Sequence, residues 1–312
     1  MDAGFLAGYP EPSAFWEAHP ELAQPPQQRP DTSPGRPLRV AVVTLCDGAM
    51  EPLCAASIDN KRVYAERHGA QRPRRWLARC GRSAINAIDA RLAGYTLLVA
   101  NEQIERTRPA AWSKIPAVAR ALRGGHQLVL CVDADALIMN PTLRAEDLMD
   151  WRAQQTLAAD HNGPNSGVWL IRDSAWSRWF VAVLWEQEQL VALPPLRQLF
   201  HYEQRAFHHL LQTAAWRRVV GLRFEHANAV RAATSLVHQC VLNSLPSWYA
   251  DGDFVLHLAG VKGAAKCLLF RRAYGRAARA AGRTPGVDAA PAPAVWRCLL
   301  GASPVVAKRR VA

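Results

Sequence analysis

Short apolar runs that do not alternate with polar residues place the strongest constraint on how this chain can fold. Arg39-Val-Ala-Val-Val-Thr-Leu-Cys46 has no regular polar side, so as a strand it needs cover on both faces. Similar runs lie near Tyr95–Ala100 and at Gln127–Val132. Helical stretches separate them, from about Leu53 to His68 and from Ser113 to about Leu122. Alternation of this kind predicts a largely parallel sheet with helices on both sides. The 312 residues are 50% hydrophobic and 21% charged, enough apolar material for one large α/β domain or two small ones. Wholesale disorder is excluded by the same composition.

The ends of the chain differ from its middle. Residues 1–37 hold eight of the 21 prolines, which predicts an extended arm with at most one short helix after Ser13. The formal charge of +12 is concentrated beyond Gly260, where eleven Lys or Arg face one acid, Asp288. The remainder is nearly neutral, which with the lack of aromatic–basic interleaving argues against a nucleic-acid-binding body. The expected organisation is an arm at 1–37, a folded body at 38–265 and a basic tail at 266–312. That tail could touch an anionic membrane or an acidic partner, or simply be solvated.

Seven cysteines with no CxxC pair give neither a disulfide framework nor a zinc site, and Cys46 and Cys131 read as buried apolar residues. No apolar run reaches the roughly 18 residues that a spanning helix needs, and the opening residues lack a basic stretch and a long apolar core. The expectation for the chain as written is therefore a soluble, cytoplasmic protein.

Gln127-Leu-Val-Leu-Cys-Val-Asp-Ala-Asp135-Ala-Leu-Ile-Met-Asn-Pro141 carries the main chemical signal. An apolar strand delivers Asp133 and Asp135 to its carboxyl end, where open α/β sheets bind ligands. Two apart on an extended backbone, both side chains leave on one face and can share a hard divalent cation, which would neutralise a diphosphate. A second such pair, Asp251-Gly-Asp253, contains Gly and precedes its strand, so it reads as a turn.

Five further segments join this one in order. They are Ser57-Ile-Asp-Asn-Lys-Arg-Val-Tyr-Ala-Glu-Arg-His-Gly69, Trp112-Ser-Lys-Ile-Pro116, Asn162-Gly-Pro-Asn-Ser-Gly-Val-Trp-Leu-Ile-Arg-Asp-Ser-Ala-Trp-Ser177, Tyr202-Glu-Gln-Arg-Ala206 and His257-Leu-Ala-Gly260 with Lys262. The ordered set resembles glycosyltransferase family 34, the galactosyl-, mannosyl- and xylosyltransferases of the GT-A fold. The resemblance covers about residues 40 to 265. It implies a GT-A, Rossmann-like mixed sheet flanked by helices, and a retaining transfer of a hexose or pentose. The donor would be a UDP- or GDP-sugar, the acceptor a glycan or other hydroxyl compound, and the cofactor Mn²⁺ or Mg²⁺. The alternative is a non-catalytic sugar- or nucleotide-binding module that works through its basic tail.

By resemblance, Asp133, Asp135 and His257 hold the metal, although a lone His in a strand is more often a core residue. The donor-facing set it implies comprises Thr44, Asn60, Lys61, Tyr64, Lys114, Asp133, Ala134, Ser166, Gly167, Gly260 and Lys262, with Gln204, Glu203 and Asn165 at the reacting sugar. The residues themselves add support. Asn60, Tyr64 and His68 recur every four positions and make one polar helix face, turned to a ligand or to solvent. Lys114 at a helix start opposes the macrodipole unless an anion, a diphosphate or Asp133, lies beside it. Asn165-Ser-Gly167 is either an ordinary loop or a place of close backbone approach. Glu203 and Gln204 open a helix predicted from Tyr202 to Trp216. Tyr202-Glu203 replaces the paired aspartates of the plant enzymes, and Val261 replaces the family's cysteine. Trp176, Trp179 and Trp185 share one amphipathic helix and read as core.

Overall fold

A computed structural model describes residues 38–46, 50–69, 94–100, 104, 106–191 and 202–283. The arm expected at 1–37 and the chain beyond 283 lie outside the described residues. Six strands form the main sheet: β1 (Arg39–Leu45), β2 (Gly94–Ala100), β3 (Leu128–Val132), β5 (Gln155–Asp160), β6 (Gly163–Arg172) and β7 (Thr234–His238). Their spatial order is β2-β1-β3-β6-β5-β7. The pairs β1/β2, β1/β3 and β5/β7 are parallel, whereas β6 runs antiparallel to both β3 and β5. One reversed strand thus makes an otherwise parallel sheet mixed. Its origin is local, because β5 and β6 are joined by a tight hairpin at Asp160–Gly163 and Gly163 supplies the positive φ that the turn needs.

The non-alternating runs are covered on both faces, as their composition demands. On one side Ala41, Val43, Val129, Cys131, Trp169 and Ile171 pack under helices α2 (Lys114–Arg123) and α4 (Ala175–Glu186). On the other, Val40, Val42, Leu130, Val132 and Leu170 meet Tyr64 and Ala65 of α1 (Glu51–His68), with Tyr95 and Phe254. Trp176 stacks on Phe180 at 4.9 Å and Trp179 is fully buried, so these tryptophans are core. Cys46 and Cys131 are buried, and neither is in a disulfide among the described residues.

Two stretches differ from the sequence reading. The helix expected from Tyr202 to Trp216 is broken into α5 (Gln204–Leu210) and α6 (Ala214–Val219), following the short α3 (Ala145–Leu148) and α4 in chain order. The break has a local cause: Gln212 takes φ 47°, and Thr213 caps the second helix by accepting from the Trp216 N–H. Downstream lie α7 (Ala227–Ala232), α8 (Gln239–Leu242) and α9 (Gly263–Ala280). Helix α9 runs straight through position 265, where the sequence suggested that the folded body ends. Its Cys267, Phe270, Ala273, Tyr274 and Ala277 are buried against Leu53, Leu137 and Leu258. A small second sheet, β4 (Ala136–Ile138) antiparallel to β8 (Val255–His257), places His257 opposite Ala136, one residue from Asp135.

Candidate active site

The site forms where β3 ends. Asp133 and Asp135 follow its last residue, and the Asp133 N–H donates to the Gly167 carbonyl of neighbouring β6 at 2.8 Å. Because β6 is reversed, the start of that strand, Asn165-Ser166-Gly167, lies beside the end of β3. On the other flank, the second sheet brings in His257, whose backbone N–H donates to the Ser244 carbonyl at 2.8 Å.

One ligand atom each from Asp133, Asp135 and His257 falls within 4.8 Å of the others, the one such trio among the described residues. His257 Nε2 lies 3.3 Å from Asp135 Oδ1 and 4.0 Å from Asp133 Oδ2. Its Nδ1 is buried and has no hydrogen-bond partner among the described residues. The ring rests directly on Gly167: a Cβ there would stand 2.1 Å from His257 Cε1. Gly167 is required by this approach, since its backbone needs no positive φ. Two carboxylates and an imidazole make a mixed O/N donor set that can hold a divalent cation, so the residues fit a bound metal.

The second oxygen of each aspartate is held by a lysine. Lys114 Nζ lies 2.7 Å from Asp133 Oδ1, and Lys266 Nζ lies 2.6 Å from Asp135 Oδ2. Lys114 also reaches Glu203 Oε1 at 2.6 Å and donates to the Ser166 carbonyl at 3.1 Å. Glu203 Oε1 accepts from Ser166 Oγ as well, at 2.8 Å. Burial alone would lower the Lys114 pKa, but Asp133 and Glu203 outweigh it and hold the ammonium charged. Burial raises the Asp133 pKa against the opposing pull of Lys114. At Asp135 burial is overridden by His257 and Lys266, which keep the carboxylate well below its usual range. The anion that the sequence demanded beside Lys114 is therefore supplied within the protein, by Asp133 and Glu203.

The other candidates divide by what they touch. Asn165 accepts from Gly167 N–H at 2.8 Å and from Asn243 Nδ2 at 2.9 Å, and donates to Asp160 at 2.8 Å, so it braces the turn. Gln204 Oε1 lies 3.4 Å from the Ser166 N–H. Thr44 is buried, with no partner for its hydroxyl among the described residues, and Ala134 is buried between the two aspartates. Gly260 has φ 75° and open space around it, and Lys262 is exposed just before α9.

The polar face of α1 differs from its reading as ligand-facing or solvated, because it is used on the protein's own backbone. Asn60 donates to the Ile138 carbonyl at 2.9 Å and accepts from the Ile138 N–H at 2.8 Å. Tyr64 donates to the Leu143 carbonyl at 2.9 Å, and His68 lies 2.8 Å from the Pro141 carbonyl. Lys61 is fully buried, donating to Ser57 Oγ at 2.6 Å and the Ala136 carbonyl at 2.8 Å; burial lowers its pKa to about 8. These groups fix the segment that follows Asp135. Sequence reasoning missed Lys266 and Asn243. Lys266 follows Lys262 by one helical turn, and that was its only signal. The pair Asp251/Asp253 is a turn as expected, with Asp253 accepting from Ala250 N–H and Ser244 Oγ.

The sequence pattern of the galactosyl transferase GMA12/MNN10 family matches residues 39–158 and 148–268, most of the chain. The chain belongs to this family. It is therefore a glycosyltransferase of the GMA12/MNN10 family, with the mixed, helix-flanked GT-A sheet described above. A search of curated proteins found no match. Among solved structures it is similar to a glycosyltransferase involved in glycosylation of the major capsid of PBCV-1. Identity there is 12%, covering 76% of this chain and 98% of that one, with a TM-score of 0.48. It is also similar to the galactosyltransferase LgtC, solved with donor and acceptor sugar analogues. Identity is 16% over 77% of this chain and 95% of that one, with a TM-score of 0.39. The third is GlyE of Streptococcus pneumoniae TIGR4, at 16% identity over 65% and 46% of the two chains and a TM-score of 0.35. In this GMA12/MNN10-family chain, the segments that build the cluster, from β1 through His257, all fall inside the matched span.

Proposed function

We propose that the chain transfers a hexose or pentose from a nucleotide-diphosphate sugar, a UDP- or GDP-sugar, to a hydroxyl group of a glycan or other acceptor, with retention at the anomeric carbon. The observation that carries this reading is the convergence of Asp133, Asp135 and His257 beside the buried Lys114–Glu203 pair. A divalent cation bound there, Mn²⁺ or Mg²⁺, would supply charge neutralisation for a diphosphate leaving group. Lys114 and Lys266 hold the outer oxygens of the two aspartates, which turns the remaining oxygens toward His257.

Glu203 is occupied by Lys114 and Ser166, so it is a poor nucleophile and favours a single, same-face substitution over a covalent intermediate. In that step the anomeric C–O bond to the diphosphate breaks and its electron pair leaves with the phosphate oxygen. The acceptor oxygen bonds to the same carbon from the same face, and its proton passes to the departing phosphate. Gln204 and Asn165 are the residues proposed to face the sugar; both are tied to the turn beside the cluster, Gln204 through Ser166 and Asn165 through Gly167. Thr44, Ala134, Gly260 and Lys262 complete the proposed donor contacts.

The test is release of nucleoside diphosphate by purified protein across UDP- and GDP-sugars, with and without Mn²⁺, beside Asp135→Asn. Cation-dependent release from one donor, lost in the variant, supports the reading. Release that persists in the variant or in chelator overturns the cation site. Binding of a donor without any turnover points instead to a sugar-binding module.

A further inference from the structure

We infer that the outward face of α9 docks on an anionic lipid surface. The helix is 18 residues long and carries five basic residues and no acid: Lys266, Arg271, Arg272, Arg276 and Arg279. At 3.6 residues per turn its two sides are sharply different. The inner side, from Cys267 to Ala277, packs into the protein. The outer side exposes Leu268 (41%) and Leu269 (39%), with Arg272, Arg276 and Arg279 on the same side in successive turns toward the C-terminal end. Arg276 is tied to Asp251, but Arg272 and Arg279 have no acidic partner among the described residues.

The exposed leucines favour lipid over nucleic acid as the occupant. Adjacent leucines on a basic helix face are costly in water and find a place at the acyl boundary, while the arginines further along the same side reach the headgroups. A phosphate backbone offers nothing to the leucines. No helix among the described residues is long and apolar enough to cross a membrane. Each arginine near an anionic leaflet contributes about fivefold in affinity, so Arg272 and Arg279 together give about 25-fold.

The experiment is co-sedimentation of the full chain with vesicles of phosphatidylcholine alone or with about 30% phosphatidylserine. Wild type is expected to bind the anionic vesicles and not the neutral ones. Arg272→Gln/Arg279→Gln is expected to weaken binding about 25-fold, and Leu268→Ser/Leu269→Ser about tenfold. All four side chains are exposed, and an unchanged melting temperature checks that each variant folds. Equal binding to both vesicle types overturns the inference. So does wild-type binding by the arginine variant, which would place the contact elsewhere on the chain. Failure to bind vesicles, with retention of a duplex RNA lost in the same variant, identifies a nucleic-acid face instead.

Discussion

Gly167→Ala tests whether the His257 ring stands where the cluster needs it. The added methyl would lie 2.1 Å from Cε1 and 2.5 Å from Nδ1 of His257, against an ordinary contact of 3.4 Å. Relief therefore needs a displacement of about 1.3 Å, the difference between 3.4 and 2.1 Å. Ligand positions tolerate only about 0.2 Å before coordination degrades, so the imidazole would be lost from the donor set. Loss of a well-placed ligand or its support lowers cation affinity by about 10–100-fold. The overpacking itself costs about 1–3 kcal/mol, a drop of a few degrees in the unfolding midpoint. Isothermal titration with Mn²⁺ and a thermal melt read the two effects separately. His257→Ala should weaken Mn²⁺ by a similar amount, and the double variant should be no weaker than His257→Ala alone. A Gly167→Ala protein with wild-type Mn²⁺ affinity would refute the reasoning, because the cation would then not depend on His257.

Three other outcomes follow from the geometry. Lys114→Met leaves Glu203 buried without its counter-ion and should destabilise by about 3 kcal/mol or more; adding Glu203→Gln should restore part of the midpoint, and no recovery would contradict the pairing. His208 is buried, which lowers its pKa to about 4, so its neutral form is favoured on folding. Stability from this group is complete above about pH 6.5 and falls by about 3 kcal/mol as pH drops toward 4, so midpoints for wild type and His208→Gln should converge on acidification. Gly275 lies within α9, and a methyl added there would meet nothing nearer than 3.7 Å, so Gly275→Ala should raise the midpoint by the equivalent of about 0.5–1 kcal/mol in a denaturation series.

The parts of this molecule that were legible in the sequence are those where a physical requirement has one common solution. A continuous apolar run must be covered on both faces, and β1 and β3 are. Carboxylates two apart at a strand end are expected to share a face, and Asp133 and Asp135 converge, although a turn at 134–135 rather than an extended backbone brings them together. A charge at a helix start needs an opposite charge, and Lys114 has two. Resemblance supplied His257, which spacing alone could not join to residues more than a hundred positions earlier. Less legible were groups whose needs have several solutions. The polar face of α1 could have met solvent, ligand or backbone, and only the fold shows that it meets residues 136–143. Lys266 was hidden for the same reason, since a lysine on a basic helix gives no hint of which acid it will find.

The amide of Asn60 has a further effect on how safely this fold can exist in a crowded solution. In the two-stranded ribbon β4/β8 the outer side of β8 is bridged by Ser244, but β4 has a margin of its own, and a bare margin invites another chain to add a strand. By donating to and accepting from Ile138, the last residue of β4, with a single side chain, Asn60 closes that margin at its end. The helix thereby does what an extra strand would do, yet offers no new margin of its own, and the ribbon that carries His257 is shielded from self-association.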